Sequence, residues 1–227
     1  MIHSVFLLGI AQTTCAATTP TDRMATDWWA TRHASYVART QKNDFKLAFL
    51  GDSITQGWES SGKATWDAEI APFGAANFGV SGDRTQHVLW RLDNGELLGT
   101  NVKLVVLMIG TNHAGIADEP ASDVAAGVRA IVDRLLSRTP ARVLILAIFP
   151  RDQQPTAKVR QKNIAVNALL APMADGKRVF FADINSRFLH ADSTLRTLYL
   201  PDRLHLSPAG YRLWANGVVP EIKRLMP

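Results

Sequence analysis

The feature that most constrains the fold is a set of short, almost uninterrupted apolar runs separated by amphipathic segments. Five such runs are present, at 45–50, 75–80, 102–109, 142–149 and 179–182. A strand with one wet face alternates apolar and polar residues, whereas a strand covered on both faces is apolar throughout. The pattern therefore predicts five parallel strands in one sheet, with helices packed on both of its faces.

The amphipathic segments between these runs predict the helices. Ser122 is placed to cap a helix whose apolar residues recur on one face as far as Leu136, and 159–173 continues the pattern less regularly. Ser207-Pro208 has the order of an N-cap followed by a first-turn proline, and an apolar stripe follows it to Leu225. In such α/β sheets, ligands bind beyond the carboxyl ends of the strands.

Length and composition limit the classes of function. The chain has 227 residues, enough for one domain, which we predict over 21–227. Its net charge is +5, but Lys and Arg are scattered, so we predict no nucleic-acid partner. The single cysteine, Cys15, excludes an intrachain disulfide, and the histidines lack zinc-binding spacings. No metal or other cofactor is therefore predicted.

The first 20 residues form a separate segment. A short apolar run at Val5–Ala11 is followed by small and polar residues, which is typical of the end of a secretory signal, with cleavage after Ala16 or Ala17. Since no Lys or Arg precedes the run, a disordered N-terminus on a cytoplasmic protein is the alternative. Export would place the protein in the periplasm or outside the cell. No apolar stretch is long enough to span a bilayer.

Polar residues follow the first three predicted strands. Gly-Asp-Ser-Ile-Thr occupies 51–55, Gly-Val-Ser-Gly-Asp occupies 79–83, and Gly-Thr-Asn-His occupies 110–113. A fourth motif, Asp-Arg-Leu-His at 202–205, comes just before the last helix. Because the carboxyl ends of parallel strands share one edge of a sheet, we expect the first three motifs to lie together and the fourth to fold back onto them.

Together the four motifs contain the groups that acyl transfer needs. A serine hydroxyl becomes a good nucleophile when a base removes its proton, and a carboxylate then orients and stabilises that base. These considerations predict Ser53 as nucleophile, His205 as base and Asp202 as its carboxylate. An oxyanion hole needs at least two hydrogen-bond donors. The candidates are the backbone N–H groups of Ser53 and Gly82 and the side-chain amide of Asn112.

Other polar and aromatic residues beside these motifs are candidates for supporting roles. Asp52, Trp58 and His113 are candidates for the wall of the substrate pocket. For Asp52, hydrogen bonding that orients the loop is the favoured role, and Trp58 has the alternative of being a core residue. Asp83 and Gln86 have the spacing of a helix-capping pair.

The four motifs resemble those of the GDSL, or SGNH, hydrolase superfamily, which are named for their Ser, Gly, Asn and His. Residues 51–55 match the first block, Gly82 the second, Asn112 the third, and Asp202 with His205 the fourth. The segment 77–97 is also similar to the catalytic subunits of intracellular platelet-activating-factor acetylhydrolase. The resemblance implies a three-layer, flavodoxin-like α/β sandwich with a five-stranded parallel sheet. It also implies metal-independent hydrolysis of short acyl esters, often acetyl esters, and leaves a homodimer open.

The sequence thus predicts a serine esterase whose partner is a small ester. A carbohydrate O-deacetylase or a thioesterase of the same fold is the alternative within this class. A binding module that has kept the fold without catalysis is the alternative outside it. Acyl-chain length and leaving group depend on the shape of the pocket, which the sequence does not define.

Overall fold

The computed structural model describes residues 15–226, and its centre is one parallel sheet. The strands are β1 (Leu47–Gly51), β2 (Ala75–Gly79), β3 (Leu104–Met108), β4 (Arg142–Leu146) and β5 (Val179–Ala182). Their order across the sheet is β2-β1-β3-β4-β5, and each neighbouring pair is parallel. This confirms the five-stranded parallel sheet predicted from the apolar runs.

Helices precede, connect and follow the strands, and their starts reflect local sequence. They are α1 (Asp27–Lys42), α2 (Ser53–Gln56), α3 (Lys63–Thr65), α4 (Thr85–Asp93), α5 (Ala121–Arg138), α6 (Lys158–Leu170) and α7 (Pro208–Leu225). The Ser207 side chain caps α7 by accepting a hydrogen bond from the Gly210 N–H, as predicted. The prediction that Ser122 caps the next long helix is wrong. Pro120 occupies the N-cap position with φ −57° and ψ 145°, and α5 begins directly after it because the fixed φ of proline is compatible with a helix start.

Two apolar clusters separate the helices into layers on opposite faces of the sheet. Along β1, Ala48 and Leu50 face a cluster with residues of α1, α4, α5 and α6. Leu47 and Phe49 face the other cluster, formed with α7 and the segment 54–70. Every residue of β1 is buried, which explains its continuous apolar sequence. The result is the three-layer α/β sandwich that the sequence predicts.

The order of the strands creates a crevice next to β1. The chain passes from β1 to β2 on one side and then to β3 on the other, and ligands bind at such switch points. Gly51, the last residue of β1, pairs with Gly79 and Met108. A Cβ atom at Gly51 would lie 2.3 Å from both the Met108 carbonyl and the Thr55 hydroxyl, so glycine alone lets α2 turn back sharply onto the sheet.

The described N-terminal residues pack against the domain. Ala17 is buried, and its carbonyl accepts a hydrogen bond of 2.7 Å from the Thr85 hydroxyl at the start of α4. Thr21 donates its N–H to the Gln86 carbonyl. The rest of the predicted signal or disordered segment, 1–14, lies outside the described residues. Within 15–226, no helix is long and apolar enough to cross a membrane.

Candidate active site

The structure brings together the three side chains that the sequence singles out for acyl transfer. Ser53 Oγ lies 2.9 Å from Nε2 of His205, although the two residues are 152 positions apart. On the other side of the ring, His205 Nδ1 lies 2.6 Å from Oδ2 of Asp202. Ser53 lies at the turn from β1 into α2, and His205 lies in the loop that precedes α7.

A tight loop explains why an Asp-x-x-His spacing suffices for this geometry. Asp202 Oδ1 accepts hydrogen bonds of 2.9 Å from the backbone N–H groups of Leu204 and His205, which leaves Oδ2 for the ring. Arg203 adopts a left-handed backbone conformation, with φ 54°, that closes the turn. One carboxylate therefore shapes the loop and orients the imidazole at the same time.

The same hydrogen bonds set the charge of Asp202 and the tautomer of His205. Burial acts to raise the pKa of Asp202, but the hydrogen bonds from the His205 ring and from the two backbone N–H groups outweigh it, and the pKa lies below its ordinary value. An ionised carboxylate accepts the proton at Nδ1. Nε2 is then the acceptor that faces the Ser53 hydroxyl, as a general base requires.

The three candidate oxyanion donors come from neighbouring loops at one end of the sheet. Gly82 has φ +74°, a conformation that favours glycine. Asn112 is buried and donates one Nδ2 hydrogen to the Asp83 carbonyl at 2.9 Å, which leaves its second hydrogen for another acceptor. Among residues 15–226, no acceptor is found for the backbone N–H of Ser53 or of Gly82.

Asp83 anchors the loop that carries Gly82, which corrects the predicted capping pair with Gln86. Its buried carboxylate lies 2.9 Å from Arg91 Nε and accepts a hydrogen bond of 2.8 Å from the Trp29 indole. Arg91 is itself fully buried and requires carboxylate partners, so Asp83 is drawn into the core and does not cap α4.

A cavity of about 200 Å³ opens beside Ser53. Hydroxyl and amide groups and a few apolar side chains border it: Ser53, Gln56, Gly57, Ser60, Ser61, Ser81, Leu200, His205, Leu206 and Tyr211. A volume of this size is below the usual range for drug-sized ligands and fits a small substituent.

The predicted pocket residues Asp52, Trp58 and His113 do not border this cavity, and their role in a substrate pocket stays a prediction. Trp58 is fully buried, with its ring centroid 4.9 Å from that of Trp214, because the apolar cluster under α7 takes it in. His113 is also buried, and its Nε2 accepts the N–H of Thr85 while Nδ1 lies 2.7 Å from Glu119. Burial lowers the pKa of His113.

Asp52, the third of these residues, is buried at the N-cap of α2.

Sequence reasoning missed two residues that shape the site. The Gln56 side chain lines the cavity and accepts a hydrogen bond of 2.7 Å from the Ser81 N–H, so it ties α2 to the loop after β2. Its position three residues after Ser53, on the same side of a helix, is a signal that could have identified it. Tyr211 donates its hydroxyl hydrogen to the Ile54 carbonyl at 2.7 Å. It belongs to the apolar stripe of α7, and no sequence signal separates it from core residues.

Asp52 caps α2 and is a buried acid directly beside Ser53. Its Oδ1 accepts a hydrogen bond of 3.0 Å from the Ile54 N–H. Burial raises its pKa from the ordinary 3.8 to about 7, against the opposing effects of the Ile54 hydrogen bond and of His205 and Arg151. The neutral acid is therefore favoured in the folded protein below about pH 7.

Asp52→Asn is expected to change how stability depends on pH. The folded wild type binds the Asp52 proton more tightly than the unfolded chain, so this group's contribution to the unfolding free energy falls as pH rises from about 4 to about 7. Asparagine has no proton to lose and keeps the oxygen that accepts from Ile54. The unfolding free energy of the variant minus that of wild type should increase over this range in urea titrations at each pH. A difference that is independent of pH would contradict the raised pKa.

Comparison with known proteins identifies the class of site. Residues 49–213 match the model of the GDSL-like lipase/acylhydrolase family. Over 185 residues the chain is 40% identical to platelet-activating factor acetylhydrolase IB subunit alpha1 of Bos taurus, covering 81% of this chain and 77% of that protein. No group of three or more His, Cys, Asp or Glu side chains in 15–226 is arranged to hold a metal ion.

Solved structures with low sequence identity show the same fold. A GDSL-like lipase from Bacteroides thetaiotaomicron has a TM-score of 0.70 at 18% identity, covering 88% of this chain and 97% of its own. A catalytic mutant of Axe2, an acetylxylan esterase from Geobacillus stearothermophilus, has a TM-score of 0.64 at 18% identity, covering 78% of this chain and 94% of its own.

The protein is a carboxylic ester hydrolase with a three-layer α/β fold. More specifically, the chain belongs to the GDSL-like lipase/acylhydrolase family, and this confirms the resemblance found in its four sequence motifs.

Proposed function

We propose that the protein hydrolyses short-chain acyl esters, with acetyl esters preferred, through Ser53, His205 and Asp202. The observation that carries this proposal is the continuous chain of contacts from Ser53 Oγ to His205 Nε2, at 2.9 Å, and from His205 Nδ1 to Asp202 Oδ2, at 2.6 Å. Distances in this range allow proton transfer from the hydroxyl to the imidazole as the nucleophile attacks.

The reaction has two halves that use the same base. The Ser53 oxygen attacks the ester carbonyl while His205 takes its proton, and the carbonyl oxygen becomes an oxyanion bound by Ser53 N–H, Gly82 N–H and the Asn112 amide. Collapse breaks the bond to the alcohol, which leaves with the proton from His205. Water then attacks the acyl-enzyme, His205 takes a proton from it, and the carboxylic acid is released as Ser53 recovers its hydrogen.

The acetyl preference rests on the size and polarity of the cavity beside Ser53. A cavity of about 200 Å³, bordered by Ser60, Ser61 and Ser81 as well as by a few apolar side chains, has little room for a long acyl chain. The same hydroxyl groups suit a polar alcohol such as a sugar, and this observation favours a carbohydrate acetate as the second candidate substrate.

A substrate panel tests the acyl preference. We expect kcat/KM to fall by about tenfold or more between nitrophenyl acetate and nitrophenyl octanoate, because the added methylenes find no pocket. Acetylated sugars and acetyl thioesters, assayed alongside, separate the deacetylase and thioesterase alternatives. Equal or faster turnover of the octanoate would contradict the acetyl preference. Failure of a fluorophosphonate to label Ser53 would contradict the proposed nucleophile.

A further inference from the structure

Arg23, on the segment that precedes α1, contacts the loop that carries Gly82. Its Nη1 donates a hydrogen bond of 2.8 Å to the Ser81 carbonyl and one of 3.1 Å to Asp83 Oδ1. The point where a Cβ would stand on Gly82 is only 3.2 Å from the same nitrogen. The guanidinium therefore lies directly against the Ser81–Gly82 peptide, in a position that is partly open to solvent.

The contact matters because the Ser81 carbonyl and the Gly82 N–H belong to one peptide group. In a trans peptide these two bonds point in opposite directions, so a donor held on the oxygen fixes the direction of the N–H. A charged donor also polarises the peptide, which makes its N–H a stronger donor toward an anion. Gly82, with φ +74°, lacks the side-chain restraint that would otherwise limit rotation of this peptide.

Ser81 is restrained at both its backbone N–H and its backbone carbonyl. The Ser81 N–H is held by Gln56, as described above, and the Ser81 carbonyl by Arg23. Arg23 is held in turn, since its own carbonyl accepts the Thr26 N–H at 2.8 Å and its guanidinium stands 5.2 Å from the centre of the Trp28 ring. Arg23 lies before residues 49–213, where the family model matches.

We propose that Arg23 is a positioning residue of the oxyanion hole, which holds the Ser81–Gly82 peptide so that the Gly82 N–H points at the oxyanion of the transition state. This inference rests on the proposed function, in which Gly82 is an oxyanion donor. Arg23 acts through the peptide and does not contact the substrate.

Arg23→Ala is expected to lower kcat on nitrophenyl acetate by about 10- to 100-fold with little change in KM, because loss of a whole oxyanion donor costs about 10²- to 10³-fold. Arg23→Lys should recover part of this loss, since an ammonium can reach the same carbonyl as a single donor. Guanidinium ion at non-denaturing concentration should raise kcat of Arg23→Ala and leave wild type unchanged. Urea unfolding of each variant shows whether it is folded under assay conditions.

Arg32 provides a matched control. Its Nε donates to the Gly79 carbonyl at 2.9 Å, and its side chain is 19% exposed against 25% for Arg23. The N–H of that peptide, on Val80, already donates to the Gly51 carbonyl, so it is not available to an oxyanion. Arg32→Ala should therefore keep kcat within about twofold of wild type while it removes a guanidinium–carbonyl contact close to the same loop, and the Gly79 carbonyl keeps the hydrogen bond from the Tyr36 hydroxyl.

The possible outcomes distinguish failure of the positioning role of Arg23 from failure of the proposed esterase function. If wild type hydrolyses the ester and Arg23→Ala keeps its kcat, the positioning role is overturned and the proposed function stands. A kcat loss that neither Lys nor guanidinium ion restores, or that Arg32→Ala shares, shows a purely structural role and also overturns it. If wild type neither hydrolyses the ester nor reacts with a fluorophosphonate at Ser53, the proposed function itself fails.

Discussion

Replacing Ser53 with alanine is expected to lower kcat for nitrophenyl acetate by about 10⁴-fold or more, close to the rate without nucleophilic catalysis. The variant keeps His205, Asp202 and the oxyanion donors, but it has no oxygen to form an acyl-enzyme. Steady-state kinetics with active-site titration of wild type measures the effect. The loss should be in kcat, because the small cavity beside residue 53 remains open.

The fold should tolerate this change. Asp52 caps α2, and the Ser53 hydroxyl contacts His205 alone among the hydrogen-bond partners in 15–226. Urea unfolding should therefore give a midpoint close to that of wild type. Ser122→Ala is the matched control, since Ser122 is an exposed serine in the first turn of α5 and the same atom is removed. Full activity in Ser53→Ala, or equal loss in Ser122→Ala, would contradict the role of Ser53.

The sheet was predictable because strands that are buried on both faces have continuous apolar sequences. The residues at which the strands end were harder to predict. The runs 102–109 and 142–149 predict longer strands than β3 and β4, because residues past a strand can stay buried without pairing. Ile148 and Phe149, for example, are buried, yet β4 ends at Leu146 and the last hydrogen bond to β5 is the one from the Ala147 N–H to the Ala182 carbonyl. Apolar sequence reports burial, and the hydrogen-bond ladder ends earlier.

The candidate triad was predictable for a different reason. Ser53, Asp202 and His205 lie in short motifs whose positions relative to strands and helices can be read locally, and the parallel sheet brings those positions together. Pocket walls have no such local signal. Whether Trp58 faces the cavity or the core depends on how α7 packs over it, and this follows from contacts distant in sequence. The contact of Arg23 with Ser81 is hidden for the same reason, and export of the chain stays a prediction.

His205→Gln and Asp202→Asn are expected to give unequal losses that reveal how the site works as a unit. His205→Gln removes the base and should cost about 10⁴- to 10⁶-fold in kcat, whereas Asp202→Asn should cost about 10²- to 10⁴-fold. The imidazole survives in the second variant. An asparagine can still accept the Leu204 and His205 N–H groups, so the loop is kept while the ionised partner of Nδ1 is lost.

Combining substitutions sharpens this prediction. If Ser53 and His205 act in one step, the Ser53→Ala/His205→Gln double variant should be no slower than Ser53→Ala alone, because a base has no function without its nucleophile. His190→Gln, at an exposed histidine, is the control for the chemical change. Multiplicative losses in the double variant would mean that the two side chains contribute independently. That result could not be reconciled with proton transfer across the 2.9 Å contact between Ser53 Oγ and His205 Nε2.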